Sequence, residues 1–183
     1  MAGLYHDQRH FQEAEPLYQQ ALSIREHILG QEHPDTAASY NNLALLYHNQ
    51  GRYELAEPLY RQALSINKRA LGQEHPATAL SYNNLAGLYH DQGRFQEAEP
   101  LYQQALSIAE RVLGQDHLNT AASYNNLAGL YDTQGRFQEA EPLYRQALVI
   151  CQRVLGEKHP RTRTIKKNYD ALRRQMKGNE PSS

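Results

Sequence analysis

Four histidines, His33, His75, His117 and His159, recur every 42 residues, and imidazoles at a fixed spacing raise the question of a metal centre. Two zinc ligands must each lie about 2 Å from the same ion. Equivalent residues in successive helical units are held at least a packing distance of about 8–10 Å apart. The series therefore cannot share a metal, and its expected role is to cap or pack the loops between units. Glu13 with Glu15, and their equivalents in later units, could be taken for a catalytic pair of carboxylates, but their place on a helix reads as a solvated face. No glycine-rich phosphate loop and no G-x-S-x-G, H-E-x-x-H or C-x-x-C motif occurs. The expectation is a protein that is not an enzyme, with no metal and no cofactor.

The more suggestive chemistry belongs to amides. Asn41 and Asn42, Asn83 and Asn84, and Asn125 and Asn126 form adjacent pairs inside SYNNLALLYHNQGRY, SYNNLAGLYHDQGRF and SYNNLAGLYDTQGRF. A carboxamide both donates and accepts, so a row of them can pair with the backbone of an extended peptide whatever its side chains. The alternative is structural, with one member of each pair bonding across to the neighbouring unit.

These residues must be positioned by a repeat. Residues 39–80 laid over 81–122 give 29 identities in 42 positions, and the register continues through 123–164 and back through 2–38. A fixed period of this size marks a solenoid or propeller, because one unit is too small to bury its own apolar face. Tyr40, Leu43, Ala44 and Tyr47 fall at helical spacing until Gly51 breaks the pattern. After the turn, Tyr53, Ala56, Tyr60, Ala63 and Leu64 form one stripe, while Leu59, Ile66 and Ala70 form another. Two stripes imply two neighbours, the unit's own first helix and the first helix of the next unit. Gly72 should close the second helix in a left-handed conformation, and Pro76 should open the next. Pro58 lies inside the second helix, which should survive with a slight bend because packing on two sides outweighs one lost hydrogen bond. Nothing alternates with period two, so no strands are expected.

Composition narrows the function classes. The 183 residues are 40% hydrophobic, enough for a core, and the formal net charge of −1 gives no global attraction to nucleic acid or an anionic membrane. The charge is uneven, with a net +6 between Arg161 and Lys177 and a net −6 over residues 1–160. The single cysteine, Cys151, permits no internal disulfide and reads as a small apolar helix residue in a reducing, cytoplasmic setting. No apolar run reaches the length of about 18 residues that a membrane helix needs, and MAGLYHDQRH lacks the features of a signal peptide.

The pattern Tyr40-x2-Leu43-Ala44-x2-Tyr47, then Ala56-x3-Tyr60, resembles the tetratricopeptide repeat. Tyrosine stands for the usual tryptophan, alanine for glycine, and Lys68 lies near the place of the final proline. The 42-residue period, NNLA, GRY-x2-AEPLY-x2-AL and LG-x3-HP resemble more specifically the kinesin light chain type, which is also widespread in bacterial multi-repeat proteins. The resemblance implies an all-α fold, a right-handed solenoid of stacked antiparallel helix pairs with the first helices lining a concave groove. Asn41 is about 200° around the helix from Leu43, and Asn42, His48 and Asn49 fall along the same side or its border, as do Leu45, Gly87 and Gly129 in their units. By the resemblance, peptide binding is carried to Asn41, Asn42, Asn83, Asn84, Asn125 and Asn126, with His48 and His90 beside them. Lys167 and Asn168 continue the pairs, and Lys167 would attract an acidic group on the ligand.

The expected organisation is a truncated first unit at 1–36, units at 37–78, 79–120 and 121–160, a C-terminal capping helix at 161–177 and a disordered tail at 178–183. The first unit begins part-way through its first helix, as an excised fragment would. In the cap, Ile165, Tyr169, Leu172 and Met176 should pack inward, while Lys166, Asp170 and Arg173 occupy the places of Tyr124, Ala128 and Tyr131. The leading functional expectation is a scaffold that binds an extended peptide segment of a protein partner, without nucleic acid or membrane. The rival expectations are a structural spacer associating end to end and the sensor part of a larger signalling protein.

Overall fold

The computed structural model describes residues 11–178 of the chain, so the expectations for the start of the first unit and for the tail lie outside the described residues. Among the described residues there are eight helices and no strand: α1 (Phe11–Leu29), α2 (Pro34–Asn49), α3 (Tyr53–Ala70), α4 (Pro76–Asp91), α5 (Phe95–Leu113), α6 (Leu118–Thr133), α7 (Phe137–Leu155) and α8 (Pro160–Gly178). The punctuation acts as its chemistry requires. Pro34 and Pro76 sit in the first turn of α2 and α4, where a missing N–H costs nothing. Gly51 takes a φ of 72°, and the Arg52 N–H reaches back 2.9 Å to the Tyr47 carbonyl, closing α2 with a tight left-handed turn. Pro16, Pro58, Pro100 and Pro142 lie inside continuous helices.

The described helices fall into two compact units, one ending at Arg94 and the other starting at Phe95. In the first, α2 and α3 pair, α1 packs on α2, and α4 packs on α3 and touches α2. The second stripe on α3 accounts for this double contact, although Ala70 at its end is exposed. Ala37, Ala63 and Ile66 make a buried cluster against Tyr40. In the second unit, α5 packs on α6, α6 on α7, and α8 on α7 and α6. Ala121, Tyr124, Ala147, Leu148, Ile150, Cys151 and Ile165 form its core, which includes the lone cysteine. On α8, Ile165 and Leu172 are buried while Lys166, Asp170 and Arg173 are exposed. The helix therefore presents one apolar stripe to α7 and a charged face to solvent.

Candidate functional site

The paired asparagines are not equivalent. Asn41 is buried, 8% exposed, whereas its neighbour Asn42 is exposed. The Asn41 side-chain N–H donates to Ser81 Oγ at 3.2 Å, and Asn84 donates to Asn41 Oδ1 at 3.5 Å. In the second unit Asn168 donates to Asn125 Oδ1 at 3.4 Å, and Asn125 donates to Asn126 at 3.4 Å. The first amide of one pair thus meets the second amide of the following one, so both members serve the joint between successive first helices. Asn83, Asn84, Asn125, Asn126 and Asn168 are half-buried, and Lys167 is exposed one residue before Asn168.

In the first unit the asparagines line a groove of about 560 Å³. Asn41, Asn42 and Leu45 come from α2, Leu80 and Asn84 from α4, and Asn67 from α3. Leu45 and Leu80 are both exposed, Leu80 by 58%. Asn67 donates to Ser81 Oγ at 2.9 Å and to the Ala77 carbonyl at 3.4 Å. Its Oδ1 is buried and has no hydrogen-bond partner. In the second unit, Gly129 has its missing Cβ directed 3.5 Å from the Tyr144 hydroxyl.

His48 turns away from free solvent. Its ring is 12% exposed, stands edge-on to Tyr53 and Tyr60, and bonds through Nε2 to Asp91 at 2.7 Å. It joins α2 to α4, as the asparagines do. His90 is half-buried, and desolvation lowers its pKa against the opposing charge of Asp91.

One repeated constellation departs from the expected solvated face. Glu15, Glu57 and Glu99 are half-buried, and each accepts a hydrogen bond at 3.0 Å from a tyrosine of the following first helix, Tyr47, Tyr89 or Tyr131. Arg52, Arg94 and Arg136 then stack on those tyrosine rings at 4.4, 4.0 and 4.0 Å and bond to the same carboxylates at 2.6, 2.8 and 2.7 Å. Each acid is therefore a clasp between units, worth more than an exposed pair because it is charge-assisted and bonded twice. Burial pushes the Glu57 carboxyl up, but the bonds from Arg94 and Tyr89 and the nearby Arg61 outweigh it and hold the pKa below the ordinary value. Glu99 is lowered chiefly by the bond from Arg136. The signal lay in the sequence as a glutamate followed 37 residues later by an arginine in the next unit, three times over.

The histidine series caps helices. Nδ1 of His33, His75, His117 and His159 accepts the backbone N–H two residues on, at 3.0–3.1 Å. Among the described residues no group of three or more His, Cys, Asp or Glu is placed to hold a metal. None of their helices is long and apolar enough to cross a membrane. The Cys151 thiol is buried, and desolvation raises its pKa.

Comparisons with known proteins agree with this fold. The tetratricopeptide repeat family matches residues 1–69, 35–110 and 77–148. The chain is similar to the nearly identical TPR-like repeats of kinesin light chain type from Podosopora anserina, at 30% identity and a TM-score of 0.79 over 98% of this chain and 84% of that one. It is also similar to BtubC (BKLC) from P. vanneervenii, at 28% identity and a TM-score of 0.75 over 100% of this chain and 80% of that one. RapI in its apo form shares the fold alone, at 16% identity and a TM-score of 0.75 over 97% of this chain and 47% of that one. No curated protein matches the chain.

Proposed function

The chain belongs to the tetratricopeptide repeat family, in its kinesin light chain-like type, and from that premise we propose that it holds an extended segment of a partner protein against its first helices. Repeats of this family are generally non-catalytic scaffolds for protein interaction. The observation that carries the finer reading is the groove of about 560 Å³ between α2 and α4, where the exposed Asn42 amide and the half-buried Asn84 amide stand beside exposed leucines. Asn42 and Asn84 can pair with a peptide backbone, and Leu45 and Leu80 offer apolar area to its side chains. Asn41 serves as the support that fixes the Asn84 amide. In the second unit, exposed Lys167 beside Asn168 would draw an acidic group of the ligand. A cytoplasmic setting fits the single, buried cysteine.

The experiment is a selection from a displayed library of short unstructured peptides on the folded chain. Recovered peptides should lose affinity when Asn42 and Asn84 are changed to alanine, while the melting temperature stays within a few degrees. Peptides that bind the double variant unchanged would remove the groove from the account.

A further inference from the structure

The groove of the first unit has a surplus of acceptors. Asn67 Oδ1 is buried, lacks a partner, and belongs to a side chain only 3% exposed that lines the groove. The orientation of that amide is set by its neighbours, because turning it over would put Oδ1 against the Ala77 carbonyl that its N–H now meets at 3.4 Å. An acceptor left unpaired at such a depth is costly, and a donor from outside would relieve it. Asp35 lies on the same lining, and no lysine or arginine does. The Asp35 carboxylate has His33 Nδ1 at 3.8 Å, a nitrogen that already accepts the Asp35 backbone N–H. The aliphatic part of the wall is formed by Leu45, Leu71 and Leu80.

We propose that this groove selects a partner segment bearing an arginine, whose guanidinium donates to Asn67 Oδ1 and the Asp35 carboxylate while its stem lies on Leu45 and Leu80. The proposal rests on the reading of the groove as a peptide site and adds the chemistry of its occupant. A guanidinium carries five donors and no acceptor, so it can meet both Asn67 Oδ1 and the Asp35 carboxylate. It is more weakly hydrated than an ammonium, which suits it to a half-enclosed apolar site. The preceding junction shows a guanidinium in the equivalent setting. Arg25 stands one repeat before Asn67, and it donates to Ser39 Oγ at 2.7 Å and to the Asp35 carbonyl at 3.2 Å. Asn67 makes the corresponding bonds to Ser81 and Ala77, and its shorter side chain leaves the groove beside it open. The later equivalents are Ala109 and Cys151, so this acceptor is peculiar to one unit.

The test uses the full chain and three capped peptides, Ser-Leu-Xaa-Leu-Ser with arginine, citrulline or glutamate at Xaa, titrated by isothermal calorimetry. The arginine peptide should bind about tenfold more tightly than the citrulline peptide, which keeps the shape and loses the charge. The glutamate peptide should bind weakest. Asn67→Ala, with the residue found at position 109, should remove most of the advantage of arginine over citrulline. Leu80→Lys, at an exposed site, should repel the arginine peptide without lowering the melting temperature. Equal binding of all three peptides, lost in the Asn42 and Asn84 alanine variant, would overturn the arginine assignment and leave the peptide groove standing. Tighter binding of the glutamate peptide would overturn it too, and binding of none would overturn both.

Discussion

The side-chain amide of Asn84 donates to Oδ1 of Asn41, 3.5 Å away on the preceding first helix, and Asn41 in turn donates to Ser81. Asn41 is therefore committed to the joint, whereas its neighbour Asn42 is exposed, and these two divide their work. Asn41 should cost about 1–2 kcal/mol when changed to alanine, because Ser81 and Asn84 both lose a buried partner. Asn42→Ala should stay within about 0.5 kcal/mol, as an exposed substitution does. Urea unfolding measures both, and equal losses would contradict the division.

The acid side of the stability profile follows from the clasps. Glu57 and Glu99 have folded pKa values held below the ordinary 4.5, so their contribution is fully present above that pH. It is lost as pH falls through the lowered folded values. Chemical denaturation across pH 3 to 7, taken as roughly the carboxylate range, should show stability falling at the acid end. The double variant Glu57→Gln, Glu99→Gln should be less stable at neutral pH and flatter below it. An unchanged acid slope would mean that these carboxylates are not the responsible groups.

Much of this architecture could be read in the sequence because it rests on local chemistry. Gly51 and Gly72 mark turns that need a positive φ, and Pro34 and Pro76 mark first turns. The stripes on α3 name two neighbours without any tertiary information. The clasp escaped because Glu15 looks like any surface acid until Arg52, 37 residues on, is brought to it. Asn67 escaped for the opposite reason. A repeat reading averages equivalent positions, and Arg25, Asn67, Ala109 and Cys151 share no chemistry to average. The joint between Asn41 and Asn84 was half legible: a crossing amide stood in the sequence only as the alternative to peptide binding, with one member of each pair crossing, whereas the bond joins the first of one pair to the second of the next.

The capping role of the histidines makes a separate prediction. His117→Ala should cost about 0.5–2 kcal/mol by leaving the Asn119 N–H without its acceptor. His117→Asn should recover most of that, because asparagine accepts the same N–H as a good N-cap. Thermal melts of the two variants compare them directly, and identical losses would point to packing of the ring in place of capping.

Two glycines should respond to alanine with opposite signs. Gly93 holds a φ of 73° in the turn before α5, so a Cβ there costs about 1–2 kcal/mol even though the space is open. Gly129 lies inside α6, and an added Cβ would make an ordinary contact 3.5 Å from the Tyr144 hydroxyl. Gly129→Ala should therefore stabilise by up to about 1 kcal/mol through helix propensity. Denaturant midpoints settle the signs, and destabilisation by Gly129→Ala would show that the wall near Tyr144 is tighter than its geometry indicates.

The central claim is that a peptide lies in the groove between α2 and α4. It is tested most directly by titrating a selected binder into isotopically labelled chain and following the side-chain amide resonances of the asparagines. The account predicts saturable shifts at Asn42 and Asn84, with methyl shifts at Leu45 and Leu80, and little change at Glu54 or Arg61 on α3. Shifts confined to α3, with Asn42 and Asn84 unmoved at saturation, would contradict it.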